Sequence, residues 1–453
     1  MSAVIPRSKA SSFRELVGQR NLMSPQDQFR ELCLRTADGC DQHASFYRTH
    51  GHIRHARICE FARDSALKGN TEVAAQLTLM RQVPPTVEEV MSSPEFLGQL
   101  TEYYPLVSKD IRRINADVFT GAEPVFEAYL GGATGTGKSH TLKTTTIHQV
   151  ICMSCFDPPQ QLVGKPASDV MLWTLQSVDA STTKQVLYQP IRQLFEAMPY
   201  ARRNMRWNKD KDAALEFDNN IWVVPGSAAL NSTIGALTPG GAFDEFSFLQ
   251  RIANSARAGQ AGGTWDQAEE VYKNISRRRR RGMTTRGIAV GVLCFASSVK
   301  YAADFLESRM TTAEEKGAPN TVSIRHRQFD VMPARKHSGA RFHLLVGTEE
   351  YATRVLGEHE RAGIDYPAAG RVEDVPVEYK VDFERDPEGA LRDVLGVASQ
   401  AISPFIARRD TVKAAFARGV EEGMQPLLAR DVSVLATHGM PLVIEKNLPD
   451  AAI

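Results

Sequence analysis

The sequence predicts an α/β protein built on a mainly parallel sheet flanked by helices, and three observations predict it. Between about residues 106 and 345, short apolar runs (FEAYLGG, VMLWTLQ, NIWVVPG, GIAVGVLCFASS, RFHLLVG) alternate with helical stretches, the pattern of strand–helix–strand units. The first of these runs leads into a glycine-rich turn that opens a helix. At 453 residues, with 42% hydrophobic and 24% charged side chains, the chain can bury full cores without disulfides or metal staples, and wholesale disorder is excluded.

Residues 1–105 are polar and read as a mainly helical N-terminal region. Segments such as TEVAAQLTLMRQV carry helical periodicity, and Pro85-Thr86 supplies a helix start ahead of Glu88 and Glu89. Residues 106–345 form the α/β core. From 346 to 453 the chain turns acidic, with 13 Asp or Glu against 6 Lys or Arg between Val346 and Gln400, and then helical. The net charge of +1, from 54 basic and 53 acidic residues, names no partner by itself. Six cysteines make no disulfide framework, so a reducing compartment is expected. No signal-peptide core is visible at the N-terminus, and GIAVGVLCFASSV is too short to span a bilayer, so a soluble intracellular protein is expected. Cys33, Cys40, Cys59, His43, His50, His52 and His55 crowd into 27 residues, but their spacing fits no familiar zinc pattern, and a solvated helical region accounts for them as well. Cys152 and Cys155 sit in a helical stretch and read as packing.

The strongest chemical signal is Gly132-Ala133-Thr134-Gly135-Thr136-Gly137-Lys138-Ser139, which fits GxxxxGK[ST] without a mismatch. FEAYL before it reads as a strand, and HTLKTTTIHQVICM after it, beginning at His140, reads as a buried helix. Glycines let backbone N–H groups curl around a phosphate, and the helix N-terminus adds its positive dipole end. Lys138 is placed to reach the β- and γ-phosphates of ATP, and the Ser139 hydroxyl to ligate Mg²⁺. Hydrolysis also needs a carboxylate for the metal and a group to orient water. Asp244-Glu245, in TPGGAFDEFSFL, supplies both side by side, although Pro239, Gly240 and Gly241 stand where apolar strand residues are usual. Asp179, after VMLWTLQSV, has the better strand but no adjacent Glu. Ala296-Ser297-Ser298 ends another apolar run, placing small hydroxyls where open α/β sheets bind ligands; an ordinary Ser cap reads equally well.

The order of these motifs resembles the ATPase domain of the large terminase subunit of tailed bacteriophages. PPTVEEVMSSPEFLG (84–98), PPQQLVG (158–164), NIWVVPGSAALNSTIGALTPGGAFDEFSFL (220–249), WDQAEEVYKNISRRRRRG with CFASSVKYAADFLESR (265–309) and FERDPEGALRDVLG (383–396) carry the resemblance, over about 84 to 400. It implies an ASCE-type P-loop NTPase that hydrolyses ATP with Mg²⁺ to drive double-stranded DNA into a procapsid. Gly132 to His140 would bind ATP, with Lys138 and Ser139 as the Walker A pair. Asp244 would be the metal carboxylate, Glu245 the catalytic glutamate, and Ala296, Ser297 and Ser298 the coupling motif. Arg192, or Arg202 or Arg203, would be the arginine finger. The implied partners are a portal and procapsid, a small terminase subunit and further copies in a ring, commonly a pentamer. The implied setting is the host bacterial cytoplasm, with no membrane.

The charge pattern adds a DNA-contact candidate, since Lys273, Arg277 to Arg281 (Arg277, Arg278, Arg279, Arg280, Arg281) and Arg286 form a basic run with no acid. A second basic patch holds Arg325, His326, Arg327, Arg335, Lys336, His337 and Arg341. A solvated face, or inter-subunit salt bridges to the acidic 346–400 zone, is the alternative for both. Past residue 400 the chain reads as a helical tail with few carboxylates, too little for a nuclease sheet, so a nuclease is expected on a separate polypeptide or in a portion truncated away. A helicase-like translocase and a non-hydrolysing nucleotide-binding scaffold are the rival readings.

Overall fold

The strand that ends at the glycine-rich turn lies one place in from the edge of a seven-stranded sheet. The structure, a computed structural model, describes residues 25–226, 236–249, 251–252, 265–282, 290–299, 304–348, 352–357, 360, 370–398, 417–418 and 421. Its strands are β1 (Glu127–Gly132), β2 (Met171–Gln176), β3 (Leu215–Glu216), β4 (Ile221–Pro225), β5 (Gly241–Phe243), β6 (Arg251–Ile252), β7 (Trp265–Asp266), β8 (Leu293–Ala296), β9 (Thr321–His326), β10 (Arg341–Val346), β11 (Arg354–Val355) and β12 (Arg371–Pro376). The main sheet runs β3-β4-β2-β5-β8-β1-β9, and every pairing is parallel except that of the short β3.

Side-chain alternation divides the core into two faces. Trp173 and Leu175 of β2, Ala242 of β5, and Cys294 and Ala296 of β8 pack toward the helix Lys138–Ser154 that follows the glycine-rich turn. Phe243, Phe295 and Tyr129 fill the opposite face against the helices Gln267–Gly282 and Phe305–Lys316. There Phe243 stacks on Phe295 with ring centroids 4.7 Å apart. Buried Gln149, on the loop helix, accepts Trp173 Nε1–H at 2.9 Å and Val292 N–H at 3.1 Å through one carbonyl oxygen.

The glycines before Asp244 follow from this packing. A Cβ on Gly240 would stand 2.4 Å from Gln149 Oε1 and 2.9 Å from Val292 O. The chain can enter β5 only without a side chain there, which is why the approach looks unlike a strand in the sequence.

The N-terminal part is helical. Helices Pro25–Thr49 and Ile53–Leu67 pack against each other. Thr86 caps Val87–Ser92 in a two-way capping box with Glu89. Pro105–Ile114 buries Val107, Ile111 and Ile114, at helical spacing, against the loop helix. All six cysteines are free. Among the described residues no group of three or more His, Cys, Asp or Glu could hold a metal ion. No described helix is long and apolar enough to cross a membrane.

Two strand assignments differ from expectation. RFHLLVG belongs to a second, antiparallel sheet, β11-β10-β12, whose core is Phe342, Leu344, Val375, Phe383, Leu391 and Val394. The main sheet's edge is instead TVSIRH, β9, whose only buried side chains are Val322 and Ile324. An edge strand of that composition carries little apolar signal. The second sheet therefore begins before the boundary drawn at 345, which cuts through β10. Apart from 417–418 and 421, the helical tail expected over 403–429 and the carboxylates Asp410, Glu422, Asp431, Glu445 and Asp450 lie outside the described residues.

Candidate nucleotide site

The turn from Gly132 to Ser139 joins β1 to the loop helix, with Gly137 in a left-handed conformation just before Lys138. It is held from within and from the sheet edge. Ala133 N–H donates to His326 O at 2.9 Å. Ala133 O accepts Lys138 Nζ at 2.5 Å and Thr136 Oγ1 at 3.0 Å. Burial pushes the Lys138 ammonium below its ordinary range, opposed by the charges of Glu245, Asp244 and Asp393. A cleft of about 260 Å³ opens beside the turn, lined by Tyr103, Tyr104, Val107, Gly135, Gly137 and His140 among others. The His140 ring lies 4.7 Å from that of Tyr103, and burial, aided by Lys143, holds its pKa down to about 4. It is neutral at pH 7.

Asp244 follows β5 directly, two strands from β1, with β8 between them. Its Oδ2 accepts the Ser139 hydroxyl at 2.7 Å. The chain separates these two residues by more than a hundred positions, and the fold brings them into contact. The fold is that of a P-loop NTPase.

Glu245 lies at the same sheet edge. Its carboxylate Oε2 is 3.4 Å from the hydroxyl of Ser297, which also accepts Ser247 N–H at 3.2 Å and can donate to Ser298 O at 3.0 Å. Ser298 Oγ is 3.4 Å from Thr134 Oγ1. Ala296, Ser297 and Ser298 are thus buried between the loop and Glu245. Burial raises both carboxyls above their usual range. For Asp244 the Ser139 hydrogen bond opposes the shift; for Glu245 the neighbouring Asp244 charge adds to it. The hydroxyl of Ser139 and the carboxylate of Asp244 are hard oxygen donors in contact, a donor set that fits Mg²⁺.

No protein-family model matches the chain. No curated protein matches it in sequence. Among solved structures, the large terminase of a thermophilic bacteriophage, in complex with ATP-γ-S, is similar at 11% identity and a TM-score of 0.33, covering 52% of this chain and 48% of that one. The HK97 bacteriophage large terminase aligns at 13% identity and a TM-score of 0.36, covering 53% and 44%. The large terminase ATPase domain of a Thermus phage aligns at 11% identity and a TM-score of 0.30, covering 50% and 83%. The chain spans about half the length of the first two. At scores of this size, function has to be read from the geometry of the site.

The remaining candidates are placed differently from expectation. Asp179 is exposed and caps the next turn, accepting Thr182 N–H and Thr182 Oγ1–H, each at 2.8 Å. Those bonds hold its carboxyl below the usual range, and it is a cap, not a metal ligand. Arg192 is engaged within its own chain, bonded to Asp212, to Glu196 at 2.9 Å and to the carbonyls of Lys209 and Lys211.

The basic run divides. Arg277 is exposed and Arg278 half-buried. Arg279 is turned inward, donating to the carbonyls of Pro239, Phe126, Val290 and Gly291 at 2.6–3.3 Å over the Phe126 ring. Burial pulls its pKa down to about 10. Arg279 is therefore a structural cation and not a DNA contact. The side chains of Arg280 and Arg281 lie outside the described residues. The second patch is largely paired within the chain. Arg325 bonds Glu307 and Glu314, Arg327 bonds Asp330 and Glu373, and Arg341 donates to Asp374 O.

Three residues at the site were not assigned to it from the sequence. His326 supplies the carbonyl that anchors Ala133; Lys143, one turn beyond Ser139 on the loop helix, adds a charge near Asp244; and Asp393 O accepts Thr134 N–H at 3.0 Å. The hydrogen bonds of the first and last to the loop run through backbone atoms, which leave no residue-type signal. Lys143 was visible only as an (i, i+4) neighbour of Ser139.

Proposed function

We propose that this chain is an ATP-hydrolysing motor subunit of the viral terminase kind, moving double-stranded DNA. The observation that carries the reading is the contact of Ser139 with Asp244 at 2.7 Å, with Glu245 adjacent at the same sheet edge. The loop amides and Lys138 hold the phosphates of ATP. Ser139 and Asp244 would hold Mg²⁺, which would supply charge neutralisation to the phosphates. Glu245 orients the attacking water and takes its proton. Burial holds its carboxyl above the usual range, and the Ser297 hydroxyl lies 3.4 Å from its carboxylate to orient it. A scaffold that only bound nucleotide would need no second carboxylate there.

DNA contact falls to Arg277, Arg278, Arg280 and Arg281, cations that neutralise phosphates without reading bases, as a motor indifferent to sequence requires. Assembly as a ring on a portal, with a small subunit and a nuclease on another chain, belongs to the same proposal. The test is ATP turnover by the purified protein with and without duplex DNA, alongside a strand-separation assay and incubation with plasmid. Turnover stimulated by duplex, without unwinding or nicking, is expected. Absence of turnover favours the scaffold; unwinding favours a helicase-like translocase.

A further inference from the structure

The turn Leu391–Leu395, from the second subdomain, closes on the outside of the phosphate loop. Asp393 O accepts Thr134 N–H at 3.0 Å. Gly396 follows with φ +66°, and a Cβ there would stand 2.4 Å from Ala133 N and 2.5 Å from Gly132 Cα. Only glycine lets the turn lie flush on the loop. The contact is at the Glu245 end of the cradle, because Thr134 Oγ1 is 3.4 Å from Ser298 Oγ and the adjoining Ser297 hydroxyl is 3.4 Å from Glu245. A γ-phosphate attacked by a water on Glu245 must lie at this end.

Arg392 sits on that turn. Its Nε donates to Asp393 Oδ1 at 3.0 Å and its Nη2 to Oδ2 at 3.4 Å, and its side chain is half-exposed. The Asp393 carboxylate in turn helps hold the Lys138 ammonium in its charged form. A pair between neighbouring, partly exposed residues is weak and readily exchanged. A terminal phosphate offers a guanidinium more charge and a better two-pronged fit.

We propose that Arg392 reads the γ-phosphate from within this same chain, with Asp393 as its resting partner. The proposal rests on the ATPase reading of the site. With ATP in the cradle, Arg392 leaves Asp393 for the γ-phosphate; with ADP it stays. The second subdomain therefore grips the loop differently before and after hydrolysis.

The experiment measures equilibrium binding of ADP and ATP-γ-S, with Mg²⁺, to the full chain, and kcat and KM for ATP. Wild type, Arg392→Gln, Arg392→Lys, Asp393→Asn and Lys138→Ala are compared. Arg392→Gln is expected to lose about ten- to a hundredfold in ATP-γ-S affinity, with ADP affinity within about twofold of wild type, and to lower kcat. Arg392→Lys should recover part of the loss. Asp393→Asn, which removes the resting partner, should sharpen the preference for ATP-γ-S. Equal losses for both nucleotides in Arg392→Gln would mean the turn only braces the loop, and would overturn the proposal. So would an unchanged ratio and kcat. Lys138→Ala should weaken both nucleotides. Wild-type protein that binds neither overturns the ATPase reading itself, and this proposal with it.

Discussion

Adjacent residues at a strand end ordinarily point to opposite faces, yet Asp244 meets Ser139 while Glu245 meets Ser297 at one edge. Glu245 achieves this with a left-handed φ of +51°, unusual for a residue with a side chain. On the proposed mechanism its carboxylate orients the attacking water, so Glu245→Gln should keep ATP bound while turnover falls about 100- to 10,000-fold. Nucleotide binding measured beside turnover checks this; wild-type turnover in the variant would remove Glu245 from the mechanism. Asp244, 4% exposed, has a second consequence. Burial raises its folded-state pKa, so its contribution to stability is full below the unfolded carboxylate value of about 4 and is lost as pH rises through the folded value. Asp244→Asn, neutral throughout, should therefore melt higher than wild type at pH 7 without nucleotide, with the gap closing toward pH 4, and should not turn over. Melting curves at the two pH values decide it. Both carboxylates were legible in the sequence because chemistry requires those residue types. The turn that lets them share an edge was not, since nothing in the letters DE specifies a positive φ.

At the scale of elements, what looked weakest in the sequence is among the most constrained parts of the fold. Pro239-Gly240-Gly241 reads as a poor strand, but Gly240 faces the Gln149 carbonyl that ties β2 to the start of β8. Gly240→Ala should cost about 1–3 kcal/mol by forcing that carbonyl away. Denaturant unfolding measures this, and an unchanged midpoint would show that the helix shifts freely. The arginine run shows the converse, a pattern that looked uniform and is not. Arg279 satisfies four backbone carbonyls where the end of its helix meets the starts of β1 and β8, whereas Arg277 is exposed. Arg279→Ala is expected to destabilise by about 3 kcal/mol, because it orphans buried acceptors, while Arg277→Ala stays within about 0.5 kcal/mol. Five identical letters on a helix cannot reveal which one faces inward until the helix's apolar stripe (Ala268, Val271, Tyr272, Ile275) is followed one turn further, to 279. The same limit misassigned RFHLLVG: an apolar run identifies a strand but not its sheet.

For the whole molecule, the division of charge decides which surface can meet a polyanion. With a net charge of +1, the chain has no global attraction to DNA, so any binding must come from a local face. The patch around Arg325 and Arg327 is already neutralised by Glu307, Glu314, Asp330 and Glu373, and it fastens the two subdomains and the sheet edge together. What remains of the sequence's basic candidates is the face around Arg277 together with exposed Arg335 and Lys336. DNA affinity should therefore be sequence-tolerant and strongly salt-dependent, and each phosphate contact removed should flatten the slope of log K against log salt by about one unit. Arg277→Gln should reduce the slope by about one, while Arg325→Gln should leave it unchanged and lower stability instead. Binding isotherms across a salt series with two unrelated duplexes make the comparison. A slope that responds to Arg325 and not to Arg277 would move the DNA to the β9 edge of the nucleotide-binding sheet, and would mean that the salt bridges around Arg325 open when DNA arrives.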